Sequence, residues 1–359
     1  MTKTVQEFQS RRFKFPLIKW KGAAPSPSWW KVRPDEIIAQ CASVCRGRSE
    51  IIAQTPGGYP VYAVFYGNFN DEPPRTNWSA GRSSNGWSSY YNRKNLPQTV
   101  LLCAGIHGAE AESVAGAINL IQALEKGCDL RGKAAGILPE LLEQYRLIIV
   151  PCVNMDGRSI SPDHLLGAGP EDFRAASQGR WLDGELIGWQ GSKSWFPLPL
   201  ERVLHPGGYP NADGYNIMHD ACPGNIRTSE ARALLLLAER YRVDLVLNSH
   251  SCEGHPHILP PGEIDLPENR KRAEEICNAA HKALYLAGFL PQEIPGKRPL
   301  SKAANLNTLF TLASGALGLT FECTVFQNYT FDQLLEQNYV VWQTVLQEGL
   351  RQPFTNRNQ

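Results

Sequence analysis

Apolar runs alternate with amphipathic segments along most of the chain. Four runs, at residues 99–106, 145–153, 243–249 and 317–322, are nearly continuous, as is typical of strands that are buried on both faces. Strands that alternate with helices predict an α/β fold with a mixed, mostly parallel, twisted sheet and helices on both faces. The helical segments that follow these runs lie at residues 109–126, 229–242, 266–287 and 331–348.

The segment before the first buried run predicts a helix and a pair of strands. Pro34 and Gly47 bracket an apolar pattern that fits a helix, with proline in its first turn and glycine past its end. Residues 49–55 and 61–66 then predict two strands joined by a Pro-Gly-Gly-Tyr-Pro turn. The same pentapeptide recurs at 206–210 without surrounding similarity, which indicates reuse of turn chemistry rather than a repeat.

Two long segments show no apolar period. Residues 68–98 are rich in Asn, Ser, Gly, Trp and Tyr, and residues 157–226 are rich in Gly, Pro and Trp. Irregular segments of this length in a compact domain are usually functional or mobile. We therefore expect two insertions in a single domain at 34–350, preceded by a lead-in at 1–33 and followed by a tail at 351–359.

The composition of the chain argues against several classes of protein. The 359 residues carry 36 Lys and Arg against 35 Asp and Glu, so the net charge of +1 gives no reason to expect a nucleic-acid or acidic-membrane partner. No apolar run approaches the roughly 20 residues of a membrane span, and the basic N-terminus lacks the apolar core of a secretory signal. Nine cysteines without CxxC spacing argue against a disulfide framework. We expect a cytoplasmic protein with free thiols.

Residues that could carry chemistry stand where the predicted strands end. His107 and Glu110 follow the first buried run, His250 ends the third run, and Glu322 ends the last one. Ligands bind at the carboxyl ends of parallel strands, so these four side chains are expected to converge at one edge of the sheet. Because they are spread over more than half of the chain, that convergence favours one domain over two.

The pair His107 and Glu110 has the spacing of two metal ligands at the start of a helix. Alone, such a pair is more often a surface ion pair or a helix cap, and the position after a buried strand favours the metal. Gly108 between them is expected to allow a tight turn. His250 is expected to be the third ligand, since His255 and His257 flank Pro256 in a predicted turn. Two histidines and one glutamate leave a fourth position for water, as in catalytic zinc sites.

Glu322 has two interpretations. A carboxylate at the end of the strand Leu-Gly-Leu-Thr-Phe is costly to bury unless it faces a polar cleft or an ion-pair partner. The plain interpretation is a structural ion pair at the strand end. The functional interpretation is a general base that takes a proton from zinc-activated water.

Together these residues resemble the M14 family of zinc metallocarboxypeptidases, which have the carboxypeptidase A fold. The resemblance spans roughly residues 34–350. It implies one Zn²⁺ per chain, held by His107, Glu110 and His250, with Glu322 as the catalytic base. The matching motifs are His107-Gly-Ala-Glu110, Asn248-Ser-His250 and Thr320-Phe-Glu322, together with Val153-Asn-Met-Asp-Gly157, which is similar to the family's N-P-D-G.

The chain departs from the family pattern at the segment that corresponds to G-x-D-x-N-R. Asn216 stands at the position of the Asp and His219 at that of the Arg that holds the substrate carboxylate. The resemblance implies that Asn216 accepts a hydrogen bond from a ligand imidazole and that His219 contacts substrate. It also implies an arginine that stabilises the oxyanion, and Arg174 is favoured over Arg158 and Arg180 by loose positional similarity.

Three functions are compatible with these residues. The first is a metallocarboxypeptidase-type zinc hydrolase that cleaves an amide bond in a peptide or amino-acid conjugate. The second is an N-acyl-amino-acid deacylase of the aspartoacylase or succinylglutamate desuccinylase type, which is favoured because Met218 and His219 replace the Asn-Arg pair of the family pattern. The third is a non-catalytic descendant that binds ligands. In each case Trp181, Trp189 and Trp195 of the second insertion are expected to pack that insertion rather than to bind ligand.

Overall fold

A computed structural model describes residues 15–18, 25–70, 72–84, 87–91, 96–292, 302–325 and 329–355. Seven strands form one sheet in the order β1-β2-β4-β3-β7-β9-β8, and β5 and β6 form a separate two-stranded sheet. The strands are β1 (Arg48–Gln54), β2 (Pro60–Tyr66), β3 (Thr99–Ala104), β4 (Arg146–Val150), β5 (Arg180–Trp181), β6 (Val203–His205), β7 (Leu245–Cys252), β8 (His257–Leu259) and β9 (Leu317–Thr324).

The pairing of the strands confirms the mixed, mostly parallel sheet. The central strands β4, β3, β7 and β9 are parallel to one another, whereas β2 and β8 flank them antiparallel and β1 extends the edge as a hairpin with β2. The described helices are α1 (Pro34–Ala42), α2 (Trp78–Ser83), α3 (Trp87–Tyr91), α4 (Ala111–Lys126), α5 (Leu138–Leu142), α6 (Met155–Ile160), α7 (Pro170–Gln178), α8 (Gly188–Ser194), α9 (Ser229–Tyr241), α10 (Pro267–Leu286), α11 (Leu306–Ser314) and α12 (Phe331–Arg351).

Helices cover both faces of the sheet, as the buried runs predict. Successive residues of β3 alternate between two cores, because side chains of a strand point to opposite faces. Val100 and Leu102 pack in the core that contains α1, α4, α10 and α12. Leu101 and Cys103 pack in the core that contains α9 and α11. Each central strand is therefore apolar on both faces, and this is why it appears in the sequence as a continuous run of apolar residues.

The prediction that the two insertions are irregular is wrong for their described residues. The first contains α2 and α3, and the second contains α7, α8 and the β5–β6 sheet. These helices have nine residues or fewer, so they are too short to show a helical period. They are held instead by single large side chains, among which Trp78, Tyr90 and Phe173 are buried. The short strand β8 and helix α11 were likewise not predicted.

The composition led to expectations about the cysteines and about membrane-spanning segments. All nine cysteines are free thiols in the structure. Among the described residues, no helix combines the length and the apolarity that crossing a membrane requires.

Gly108 is needed for close packing between backbones rather than for an unusual turn. A Cβ at this position would lie 2.1 Å from the backbone nitrogen of Arg158 and 2.3 Å from the carbonyl carbon of Gly157. The Gly108 N–H also donates to the carbonyl oxygen of Gly208 at 2.6 Å. Three glycines thus bring the loop after β3, helix α6 and the segment before Tyr209 into contact beneath the ligand-type residues.

We expect Gly108→Ala to lower the free energy of unfolding by about 3 kcal/mol or more, because the new methyl group meets rigid backbone atoms rather than a side chain that can move. Chemical denaturation monitored by circular dichroism measures this loss. Gly169→Ala is the matched control, since Gly169 has φ −68° and no atom within 4 Å of a new Cβ. Equal effects of the two substitutions would contradict the packing role of Gly108.

Candidate metal centre

Three side chains of the predicted site meet at the carboxyl edge of the sheet. His107 follows β3, Glu110 is the N-cap residue of α4, and His250 lies in β7. Strands β3 and β7 are parallel neighbours whose pairing ends at Ala104 and Ser249. The chain therefore leaves β3 directly beside His250, and the first turn of α4 brings Glu110 back toward both imidazoles.

The donor atoms of these three residues face a common point. One carboxylate oxygen of Glu110 lies 2.9 Å from Nδ1 of His107, and the other lies 2.9 Å from Nδ1 of His250. The two Nδ1 atoms are 3.2 Å apart. All three side chains are buried, with 1–3% of their surface exposed.

Asn216 sets the tautomer of His107. The Oδ1 atom of Asn216 accepts a hydrogen bond from the backbone N–H of Met218, and its Nδ2 atom donates to the carbonyl oxygen of Ser192. Because this orients the amide, Oδ1 is the atom that faces Nε2 of His107, at 3.2 Å. The imidazole therefore donates from Nε2, and the lone pair of Nδ1 is left for a metal ion. This is the contact that the sequence predicted for Asn216.

The site fits a zinc ion in donor type and in spacing. Two imidazole nitrogens and a carboxylate oxygen are donors that zinc prefers, and they all lie within 4.8 Å of one another. Burial raises the pKa of Glu110, but the charges of His107 and His250 and their hydrogen bonds outweigh it, so the net pKa is lowered. Burial lowers the pKa of His250, but the negative charge of Glu110 outweighs it, and the net pKa is raised. The cluster favours a positive charge next to Glu110.

Glu322 lies beside this cluster on β9. It is paired in register with His250 of β7, so both side chains point to the same face of the sheet. Burial among protein atoms raises the pKa of Glu322 to about 8; the positive charge of His250 opposes this rise, and the charges of Glu110 and Glu253 add to it. The side chain keeps some contact with solvent. A carboxyl group in such a setting can exchange protons near neutral pH.

The sequence predicted a turn at His257, and this prediction is wrong. This histidine begins β8, is 6% exposed, and pairs with Glu322 from the side opposite His250. A strand of three residues is too short for a recognisable pattern. Its formation depends on pairing with β9, a segment more than sixty positions away in the sequence.

None of the three candidate arginines contacts the His-Glu-His cluster. Arg174 of α7 is 49% exposed and forms an ion pair of 3.1 Å with Glu253. Arg158 is buried in α6 and donates to the carbonyl oxygen of Pro162. Arg180 pairs with Glu171 at the surface. Only Arg174 is linked to the site, through Glu253, whose charge acts on Glu322.

Tyr209 belongs to the site, although the sequence interpretation missed it. Its ring is stacked on His107, with centroids 3.7 Å apart and an angle of 10° between the planes. Burial raises the pKa of Tyr209 well above its usual value, and the carboxylates of Glu110 and Glu322 raise it further, so the phenol stays protonated and can donate a hydrogen bond. The one signal in the sequence was the second Pro-Gly-Gly-Tyr-Pro, interpreted as a turn.

His219 lies at the rim of the site as a neutral imidazole. It is partly buried, and burial lowers its pKa to about 3; the nearby ammonium group of Lys193 and the imidazoles of His107 and His250 lower the pKa further. The ring of Trp189 contacts it, with centroids 5.8 Å apart. Trp181 and Trp195 pack on each other within the insertion, as expected, whereas Trp189 borders the site and is 43% exposed.

The fold and the clustered donors together define an α/β protein with a candidate metal site: a mixed sheet that carries a His-Glu-His cluster at its carboxyl edge. The model of the M14 peptidase family, described as zinc carboxypeptidase, matches residues 48–286, which is more than half of the chain. The chain therefore belongs to this family. The matched region includes His107, Glu110 and His250, whereas Glu322 lies beyond its end.

Solved structures of this fold are similar to the chain. A protein from Burkholderia mallei described as a carboxypeptidase has a TM-score of 0.56 and 16% identity, over 88% of this chain and 67% of that chain. The metallo-carboxypeptidase from Burkholderia cenocepacia has a TM-score of 0.53 and 15% identity, over 88% and 68%. The metallo-carboxypeptidase from Pseudomonas aeruginosa, in complex with (2-guanidinoethylmercapto)succinic acid, has a TM-score of 0.50 and 14% identity, over 89% and 68%. No curated protein sequence matched.

Proposed function

We propose that the chain is a zinc-dependent hydrolase of the metallocarboxypeptidase type that cleaves an amide bond in a peptide or amino-acid conjugate. The observation that carries this proposal is the convergence of His107, Glu110 and His250 within 4.8 Å, with Glu322 in register beside His250. Membership in the zinc carboxypeptidase family supports the same reaction class.

His107 and His250, through their Nδ1 atoms, and Glu110, through its carboxylate, would hold one zinc ion. When bound, zinc supplies a Lewis acid that polarises a carbonyl group and makes water a better nucleophile near neutral pH. Asn216 keeps His107 in the tautomer that can bind the ion. The ring of Tyr209 stacks on the face of the His107 imidazole and restricts the rotation of that imidazole.

Glu322 is the proposed general base. Its carboxylate would take a proton from the attacking water and pass it to the leaving amine, which needs a group whose pKa lies near the working pH. The raised pKa of Glu322 and its partial contact with solvent support this role. Its two strand neighbours, His250 and His257, hold the backbone in place on both sides.

Two groups are proposed to stabilise the oxyanion. The hydroxyl of Tyr209 is already in the site and remains protonated, so it can donate a hydrogen bond there. Arg174 would exchange its present partner Glu253 for the oxyanion, a move that an arginine side chain on the surface can make at small cost.

The test is hydrolysis by the zinc-loaded protein of two substrate series, N-acyl dipeptides with a free carboxylate and N-acyl amino acids. Release of the C-terminal amino acid from the dipeptides would support the proposal. Release of the acyl group from the second series alone would identify a deacylase instead, which the neutral His219 at the family's arginine position favours. A protein that binds zinc and hydrolyses neither series would be the non-catalytic descendant. Metal-depleted protein is the control.

A further inference from the structure

Helix α8 of the second insertion forms one wall of the metal site. The carbonyl oxygen of Ser192 accepts a hydrogen bond of 3.2 Å from Asn216, the residue that faces His107. On the same helix, the ring of Trp189 contacts the ring of Tyr209, with centroids 6.0 Å apart, as well as that of His219. The helix is therefore attached to the site by both a backbone hydrogen bond and an aromatic contact.

Lys193 follows Ser192 on this wall. Its Nζ atom lies 5.2 Å from the centroid of the Trp189 ring, which holds the ammonium group above an aromatic face. The side chain is half-buried. Within the described residues, no carboxylate lies within ion-pair distance of Lys193, whereas Arg174 is paired with Glu253.

The ammonium group of Lys193 lies over the Trp189 ring, and this ring contacts His219, so the positive charge stands near the imidazole and contributes to its low pKa. His219 itself is neutral and offers at most one hydrogen bond. An anionic group of a substrate whose amide lies at the His-Glu-His cluster would therefore find its charge partner in Lys193. The exposed face of Trp189 beside it offers apolar contact for the neighbouring part of such a substrate.

We propose that Lys193 is a specificity-determining residue that binds the carboxylate of the substrate's leaving amino acid, with His219 as a neutral hydrogen-bonding neighbour. This inference rests on the proposed hydrolase function. A lysine contacts a carboxylate as a point charge, without the two parallel hydrogen bonds of an arginine. The preference for a carboxylate is therefore expected to be moderate and to weaken with salt.

The experiment compares Lys193→Gln and Lys193→Arg with the wild type on an N-acyl dipeptide and on its C-terminal carboxamide. In the wild type we expect kcat/KM to be about 10- to 100-fold higher for the carboxylate form, as for a hydrogen-bonded charged pair. In Lys193→Gln this ratio should fall toward one, mainly through KM, and Lys193→Arg should restore most of it. Lys133→Gln, which removes an equal charge at a surface ion pair with Asp332, is the control and should keep the ratio.

Binding separates this inference from the proposed function. The same two ligands are titrated calorimetrically into Glu322→Gln, with and without Lys193→Gln, where hydrolysis is not needed for the readout. A Kd ratio that collapses only when Lys193 is replaced supports the inference. A ratio that persists without Lys193 overturns it, even if hydrolysis proceeds. If no variant hydrolyses any substrate, the proposed function fails, and the Kd ratio still decides the role of Lys193.

Discussion

Replacing Glu322 by Gln is expected to lower kcat of the zinc-loaded protein by about 10²- to 10⁴-fold, the range in which general acid–base groups contribute. The amide of Gln has the shape of the carboxyl group but cannot take a proton from water. Because Glu322 is not among the three clustered donors, the zinc content per chain should not change. The measurements are kcat on the better of the two substrate series and metal analysis of the same sample.

The pH dependence of stability provides a control for the fold of this variant. Burial raises the pKa of Glu322 from 4.5 to about 8. The folded state therefore keeps a proton that the unfolded chain releases near pH 4.5, and stability is lost as the pH rises from there through 8. Glu322→Gln removes this loss. Metal-free variant and wild type should have similar free energies of unfolding at pH 4, and the variant should be the more stable at pH 9. A variant that retains most of its kcat would overturn the assignment of Glu322 as base.

Replacing His250 by Ala is expected to weaken zinc binding by at least about 10³-fold and to abolish hydrolysis with it. Two remaining donors cannot complete the three-ligand arrangement of a catalytic zinc site. The His250 side chain is 3% exposed and interacts with both His107 and Glu110, so its loss also leaves the charge of Glu110 less well balanced. The measurement is a zinc titration in competition with a chelator.

Zinc binding to the wild type should have two further signatures. A ligand that binds only the folded state stabilises it by about 4 kcal/mol at a thousand times its Kd, so zinc should raise the Tm of the wild type and not that of His250→Ala. The raised pKa of His250 means that the ion displaces a proton, and zinc affinity should rise with pH through the titration of this group. His255→Ala, in the same segment but outside the cluster, is the control. Full zinc occupancy in His250→Ala would contradict the ligand set.

The parts of the site that could be predicted from sequence all lie at strand ends. Buried parallel strands appear as apolar runs, and parallel neighbours end at the same edge of the sheet. The position of a ligand-type residue directly after such a run therefore follows from the apolar pattern and the strand direction. This is why His107, Glu110, His250 and Glu322 could be named together, and the first three do lie within 4.8 Å of one another.

The second insertion could not be predicted in the same way. Helix α8 has seven residues, with Gly, Ser and Trp in place of an apolar stripe, and the 3₁₀ turn at Ile217–His219 is shorter still. Such elements are stable only through contacts with other parts of the chain, as in the hydrogen bond from Asn216 to Ser192. The helix propensities of the individual residues do not indicate which of their side chains face the site.

By itself, the sequence determined which strands are buried, which side chains end them, and hence that a His-Glu-His cluster with a neighbouring glutamate forms at one edge of the sheet. These properties follow from a local pattern of apolar residues and from the common direction of parallel strands. Only the tertiary structure decided that Tyr209 stacks on His107, that Arg174 is paired with Glu253, and that Lys193 stands over Trp189 beside His219. The physical reason is that the contacts of Tyr209 and Arg174 join residues roughly eighty to one hundred positions apart. Lys193 stands near the site only because the insertion folds onto it. Neither a long-range contact nor the packing of an insertion produces a periodic pattern in the sequence.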